Sequence, residues 1–154
     1  MESEFEMNDL GLMKFFLGIE MQQSESCIFI SQSQYASEVL KIFNMSNCKT
    51  TPTLVITSLK LSKDDDGSTI DPMLFKILVG SLMYLTTTRP DVMYGVSMIS
   101  RFMESPKDSH WQAGKRILRY VNGTIDLGCH MPQFAKIVLH YLRNIVLNFM
   151  PSGN

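Results

Sequence analysis

The stretch "LVGSLMYLTTTRPDVMYGVSMISRFMESP" spans Leu78–Pro106, and its reading decides the fold. Apolar residues recur at helical spacing on both sides of Thr86-Thr87-Thr88-Arg89-Pro90. Pro90 excludes one straight helix, because a proline pushes the preceding residue out of the helical region. Two helices around a break are therefore expected. The stretch holds one acid, Asp91, ahead of Glu104, and no histidine, cysteine or glycine loop. Its residues serve packing rather than chemistry.

Outward from there, Asp71-Pro72 predicts the start of the first of these helices, with an N-capping acid followed by proline at the first helical position. Leu74, Ile77, Leu78, Leu82 and Leu85 give one apolar stripe, and Gly80-Ser81 leave room for another element to pack closely. The second helix runs from about Asp91 through Met93, Val96, Ile99 and Phe102 to Met103. Ser105-Pro106 resets the chain. A third helix follows, with Trp111, Gly114, Leu118 and Val121 on one side and Lys115, Arg116 and Arg119 more exposed; Asn122-Gly123 supplies its stop.

Toward the N-terminus, Phe15–Met21 and Cys27–Ser31 read as the strands of a β-hairpin, with Gln22–Ser26 as the polar turn. Gly18 inside the first strand points to a bulge or a close approach by another backbone. Ser31 and Gln34 have the spacing of a capping box, and Tyr35, Ala36, Val39, Leu40 and Phe43 follow at helical spacing. Asn44 or Asn47 ends that helix. Residues 48–70 read as an extended linker. Its run Lys63-Asp64-Asp65-Asp66-Gly67-Ser68 reads as a solvated loop, since adjacent carboxylates cannot all face one ion from a regular element. From Cys129 to the end there is no Asp or Glu, and "AKIVLHYLRNIVLNFM" is apolar nearly all round.

With 154 residues, 45% apolar and 19% charged, the chain has the make-up of one globular domain. Its net charge of −1 favours no class of partner, but the charge is unevenly spread. Residues 1–30 are acidic, whereas residues 101–120 carry Arg101, Lys107, Lys115, Arg116 and Arg119 against Glu104 and Asp108. The twelve methionines fall mostly at apolar helix positions, where they fill a core; left exposed, they would make an adaptable surface. Cys27, Cys48 and Cys129 lack C-x-x-C spacing and favour free thiols in a reducing, intracellular setting. The acidic start is unlike a signal peptide, and no apolar run approaches the ~18 residues needed to cross a bilayer.

Catalytic patterns are not found. There is no G-x-S-x-G, phosphate-binding loop or G-x-G-x-x-G. Cys129, His130 and His140 are too few for a zinc site, which needs four spaced ligands, so the histidines, His110 included, read as structural or surface groups. The residues alone give a mixed α/β piece without a catalytic constellation. The basic helix reads either as a wet charged face or, with Trp111 and Tyr120 nearby, as a track for a phosphate backbone.

Four blocks in order carry a resemblance: "FEMNDLGLMKFFLGIEM" (Phe5–Met21), "IFISQSQYASEVLKIFNMSNCK" (Ile28–Lys49), the opening stretch, and "HWQAGKRILRYVNGTIDLG" (His110–Gly128). Together they resemble the reverse transcriptase of copia-type LTR retrotransposons over about residues 5–128. The resemblance implies an RNA-directed DNA polymerase followed by an RNase H domain. Phe16-Leu17-Gly18 is similar to the family's primer-grip hairpin, which implies contact with a primer strand. The helix after Ser31 resembles the start of the thumb, and Asp71–Gly128 the connection toward RNase H. The family's Tyr-x-Asp-Asp hairpin comes before the first block and its RNase H carboxylates after the last. The tail from Cys129 resembles nothing in the family.

These readings give an expected α+β fold, an N-terminal β-hairpin followed by a mainly helical connection region. Residues 1–49 are assigned to the palm end and thumb start, 50–70 to a linker, 71–128 to the connection and 129–154 to a divergent tail. The expected function is that of a catalytically inactive polymerase fragment. The alternative is a residual nucleic-acid-binding or protein-interaction module. Candidate nucleic-acid-binding residues are Phe16, Leu17, Gly18, Lys107, Lys115, Arg116 and Arg119, with no catalytic or metal residue. No cofactor is expected for the chain itself, although the family uses Mg2+. Weak binding of primer–template, self-association through exposed apolar helices, and no membrane are the expected partnerships.

Overall fold

Leu17 and Gly18 both have positive φ, 49° and 81°. That pairing is the signature of a two-residue type I′ turn, whose twist suits the strands it joins. The computed structural model, which describes residues 15–55 and 60–132, accordingly divides the expected first strand in two. β1 is Phe15–Phe16 and β2 is Ile19–Gln23, paired antiparallel with Phe16 opposite Ile19. Gly18 is thus a turn residue and not a bulge. A Cβ on it would meet only ordinary contacts at 3.8 Å and beyond, so its backbone angle, and not crowding, asks for glycine.

β3, Cys27–Ser31, pairs with β2 across a turn closed by Ser24, whose N–H donates to the Cys27 carbonyl at 2.9 Å. A further strand, β4 (Gly128–Pro132), comes from far along the chain and pairs antiparallel with β3, Gly128 facing Ser31. The sheet order is β1-β2-β3-β4. The start of the tail is therefore a strand, and the β3 edge receives it. Here glycine is needed for space, since a Cβ on Gly128 would lie 2.0 Å from the Ile30 carbonyl oxygen. The acidic start up to Lys14 and the apolar run after Pro132 lie outside the described residues.

α1 is Ser33–Ile42, and Asn44 with φ 55° ends it. The expected capping box does not form: Gln32 is the N-cap and makes no side-chain cap bond. Glu20, opposite Ser31 in the sheet, does the work instead. One of its carboxylate oxygens accepts the Gln34 N–H at 3.1 Å and the other accepts the Ser31 hydroxyl at 3.3 Å. A carboxylate at a helix N-terminus is favoured by the dipole as well as by the orphan N–H groups.

α2 is Pro72–Leu85, capped as expected by Asp71, whose side chain accepts the Met73 N–H at 3.0 Å. Its buried face is Phe75, Leu78, Val79, Leu82 and Leu85. The expected stripe was one position off at its start: Leu74 and Ile77 are exposed, and Phe75 is buried. Gly80 is exposed with open space around it, so it makes no close helix contact. Gly114 does, lying so near Leu78 that a Cβ would be 2.6 Å from its Cδ2.

The break falls where Pro90 puts it. Pro90–Val92 is a single 3-10 turn leading into α3, Met93–Ser100, which stops short of the expected Met103; Val96 and Ile99 are buried, but Met93 is exposed. α4 is Asp108–Gly123, burying His110, Gly114, Ile117, Leu118 and Val121. Its last glycine stays helical and Thr124 is the C-cap. Helices α1 to α4 share one core, while Met21, Ile28 and Ile30 form a smaller one on the sheet. No helix among the described residues is long and apolar enough to cross a membrane.

Candidate nucleic-acid interface

The hairpin tip is fixed by two tyrosines. The Tyr84 hydroxyl of α2 donates to the Leu17 carbonyl. The Tyr35 ring meets Tyr84 edge-on at 4.9 Å, and its hydroxyl donates to the Ser81 carbonyl at 3.2 Å. Burial pushes the Tyr35 phenol up, with the Ser81 bond opposing and Tyr84 and Glu38 adding to the rise. Leu17 remains 46% exposed, so an apolar tip is presented to solvent on a tethered turn. Of Phe16, only its place in β1 is described.

The four cations proposed on α4 separate into distinct settings. Lys107 precedes the helix, and its main-chain N–H donates to His110 Nδ1 at 2.9 Å. It lies twelve positions before Arg119, about 18 Å along a helix axis, too far to serve one phosphate with it. Lys115 leans over the Trp111 ring at 5.9 Å, a cation–π contact. Arg116 and Arg119 come together: with Lys49 they border one open cleft, lined also by Met45, Cys48, Thr50 and Thr51. Arg116 Nη2 donates to Thr53 Oγ1 at 2.6 Å, and its Nε is shielded from solvent with no acceptor among the described residues. Lys49 was missed from the sequence because it lies in a loop 67 positions before Arg116, and only folding brings the two together.

Arg89 was missed as well. It is buried in the break the proline creates, and all its guanidinium nitrogens have acceptors. Nε and Nη2 grip the two Asp91 carboxylate oxygens at 2.9 and 2.8 Å. Nη1 donates to the Thr124 carbonyl at 2.9 Å and Nη2 to its hydroxyl at 2.7 Å. Tyr120 donates to Asp91 at 2.9 Å. Burial raises the Asp91 carboxyl, but the bonds from Arg89 and Tyr120 and the Arg89 charge outweigh it and hold the group below its ordinary value. The Tyr120 phenol rises, through burial and its bond to Asp91. This cluster ties the start of α3 to the end of α4. An arginine before proline with an acid two residues on was the one local signal for it.

Other acids also serve the fold. Asp65 accepts the Gly67 N–H at 3.2 Å within its loop. Among the described residues, no three His, Cys, Asp or Glu side chains are grouped to hold a metal ion. His110 is buried, stacked on Phe102 at 3.8 Å; it accepts from Lys107 at Nδ1 and so donates from Nε2 to the Ser62 carbonyl. His130 is exposed on β4 and lies against Phe29, and His140 is outside the described residues.

Comparison with known proteins gives a consistent picture. The family described as reverse transcriptase (RNA-dependent DNA polymerase) matches residues 1–57. An uncharacterized mitochondrial protein of Arabidopsis thaliana is 38% identical over 140 residues, covering 89% of this chain and 57% of its own length. The retrovirus-related Pol polyprotein from transposon RE2 of the same plant is 36% identical over 140 residues, 91% of this chain and 10% of the polyprotein. That from transposon TNT 1-94 of Nicotiana tabacum is 38% identical over 133 residues, 80% of this chain and 10% of the polyprotein. The chain thus spans a little over half of the first of these relatives and a tenth of the polyproteins. No solved structure matches it.

Proposed function

We propose that the chain, which is similar to the reverse transcriptase region of copia-type retrotransposon Pol polyproteins, is a supporting segment of such a polymerase, without phosphoryl transfer of its own. One observation carries this reading: the acids at its structural junctions are committed to the fold. Glu20 caps α1, Asp71 caps α2, and Asp91 grips Arg89. Two-metal phosphoryl transfer needs carboxylates free to hold ions. The tethered Leu17-Gly18 turn and the basic cleft of α4 are the parts suited to meeting a primer–template. The test is primer extension by the purified chain with Mg2+ or Mn2+. No incorporation above background is expected; metal-dependent incorporation overturns the proposal.

A second reading rests on uncovered apolar side chains. Met73, Leu74, Ile77, Met83 and Tyr84 leave the outer face of α2 exposed over its whole length. A face of this kind favours association, with a second copy or with other parts of a polymerase. Sedimentation velocity is expected to show concentration-dependent self-association. A monomer at all concentrations removes the self-association part.

A further inference from the structure

Resting on that reading, we infer that Lys49, Arg116 and Arg119 together seat a backbone phosphate of a nucleic-acid strand. Arg116 and Arg119 are one turn apart on α4 and so share a face. The loop after α1 brings Lys49 to the same cleft. That loop is held in place at two points. Asn122 Nδ2 donates to the Cys48 carbonyl at 3.3 Å, next to Lys49, and Arg116 Nη2 donates to Thr53.

Three like charges around one cleft repel each other unless an anion is supplied. Nothing among the described residues supplies it: the one ion pair found there is Arg89–Asp91, in another part of the fold. Thr50 and Thr51 add hydroxyl donors to the lining. Guanidinium forks beside hydroxyls suit phosphate oxygens, and contacts of this kind position a strand without reading its sequence. The cleft is open, as the passage of a continuous strand requires.

The test is fluorescence anisotropy of a labelled DNA duplex with a single-stranded overhang, titrated with the full chain between about 50 and about 200 mM salt. The parent is expected to bind at the low end and to weaken steeply with salt. The K49Q/R119Q double variant is expected to bind about tenfold more weakly at low salt, with the log–log salt slope shallower by about 1, for the one phosphate charge no longer neutralised. K107Q/K115Q is expected to lose less than the K49Q/R119Q pair. Circular dichroism of each variant checks that it stays folded, which the absence of ion pairs at Lys49 and Arg119 among the described residues favours. If the parent binds and K49Q/R119Q matches it in affinity and slope, the seat is wrong while the supporting-segment reading stands. If the parent fails to bind even at low salt, the seat falls too. Metal-dependent primer extension by the parent would instead overturn the non-catalytic reading and leave the seat in place.

Discussion

At the break after α2, Arg89 is 2% exposed and each of its guanidinium nitrogens has an acceptor. On α4, Arg119 borders an open cleft and has no acidic partner among the described residues. The two residues are chemically identical, and their neighbours make them different. A guanidinium whose donors are all met inside the protein has become a structural joint, here between α3 and α4. One whose donors face solvent beside two more cations is available to an outside anion. The motif "KRILR" advertised its charge in the sequence, whereas "TRPD" did not, yet Arg89 is the more constrained of the two.

The largest effect expected from breaking this contrast is at the buried joint. Arg89→Met removes five donors and leaves Asp91 and the Thr124 carbonyl without their partner, a loss of about 3–5 kcal/mol by analogy with other broken buried pairs. A urea unfolding midpoint measures it. A loss below about 1 kcal/mol, the range of surface pairs, would mean the cluster is no joint at all.

The same joint predicts a pH dependence. Because Asp91 titrates below its unfolded value, its contribution is fully present above about pH 4, the ordinary aspartate range. It is lost as pH falls through the depressed folded value. Asp91→Asn is expected to be less stable than the parent at neutral pH and to show a flatter fall in acid. Thermal melts of both proteins between neutral pH and strong acid test this; parallel curves for the two would remove Asp91 from the acid response.

The hairpin tip lies between the two extremes. Tyr84→Phe removes one hydrogen bond to the Leu17 carbonyl and is expected to cost about 0.5–1.5 kcal/mol. Hydrogen exchange should speed up at the β1–β2 turn before it changes in α4. The smallest effect belongs to the open cleft. Arg119→Gln is expected to alter stability by no more than about 0.5 kcal/mol, as for an ordinary surface change. A large loss there would show that Arg119, like Arg89, belongs to the fold.

Much of the helical part was legible from local signals. Asp71-Pro72, the break at Pro90 and the end of α1, read as Asn44 or Asn47 and found at Asn44, are steric and hydrogen-bonding events within a few residues, so the sequence displays them closely. Period alone placed the core face of α2 only approximately, because apolar residues occur on both its buried and exposed sides. The capping box failed for a related reason: Ser31 and Gln34 had the spacing, but Glu20 reached the helix from the neighbouring strand. Of the candidate cleft, the sequence offered Arg116 and Arg119, which are half-buried at its border, but it did not offer Lys49.

By itself, then, the sequence determined the α+β class, the start of α2, the break at Pro90, and the resemblance to reverse transcriptases carried by four ordered blocks. Only the tertiary structure decided that Leu17-Gly18 is a turn tethered to Tyr84, that Gly128 leads a fourth strand onto β3, that Arg89 is a joint, and that Lys49 completes a cationic cleft. The physical reason is range. Backbone sterics and capping act over a few residues and leave a local mark, whereas the gathering of Lys49, Arg116 and Arg119 at one cleft, or the contact between Arg89 and Thr124, depends on how the whole chain packs.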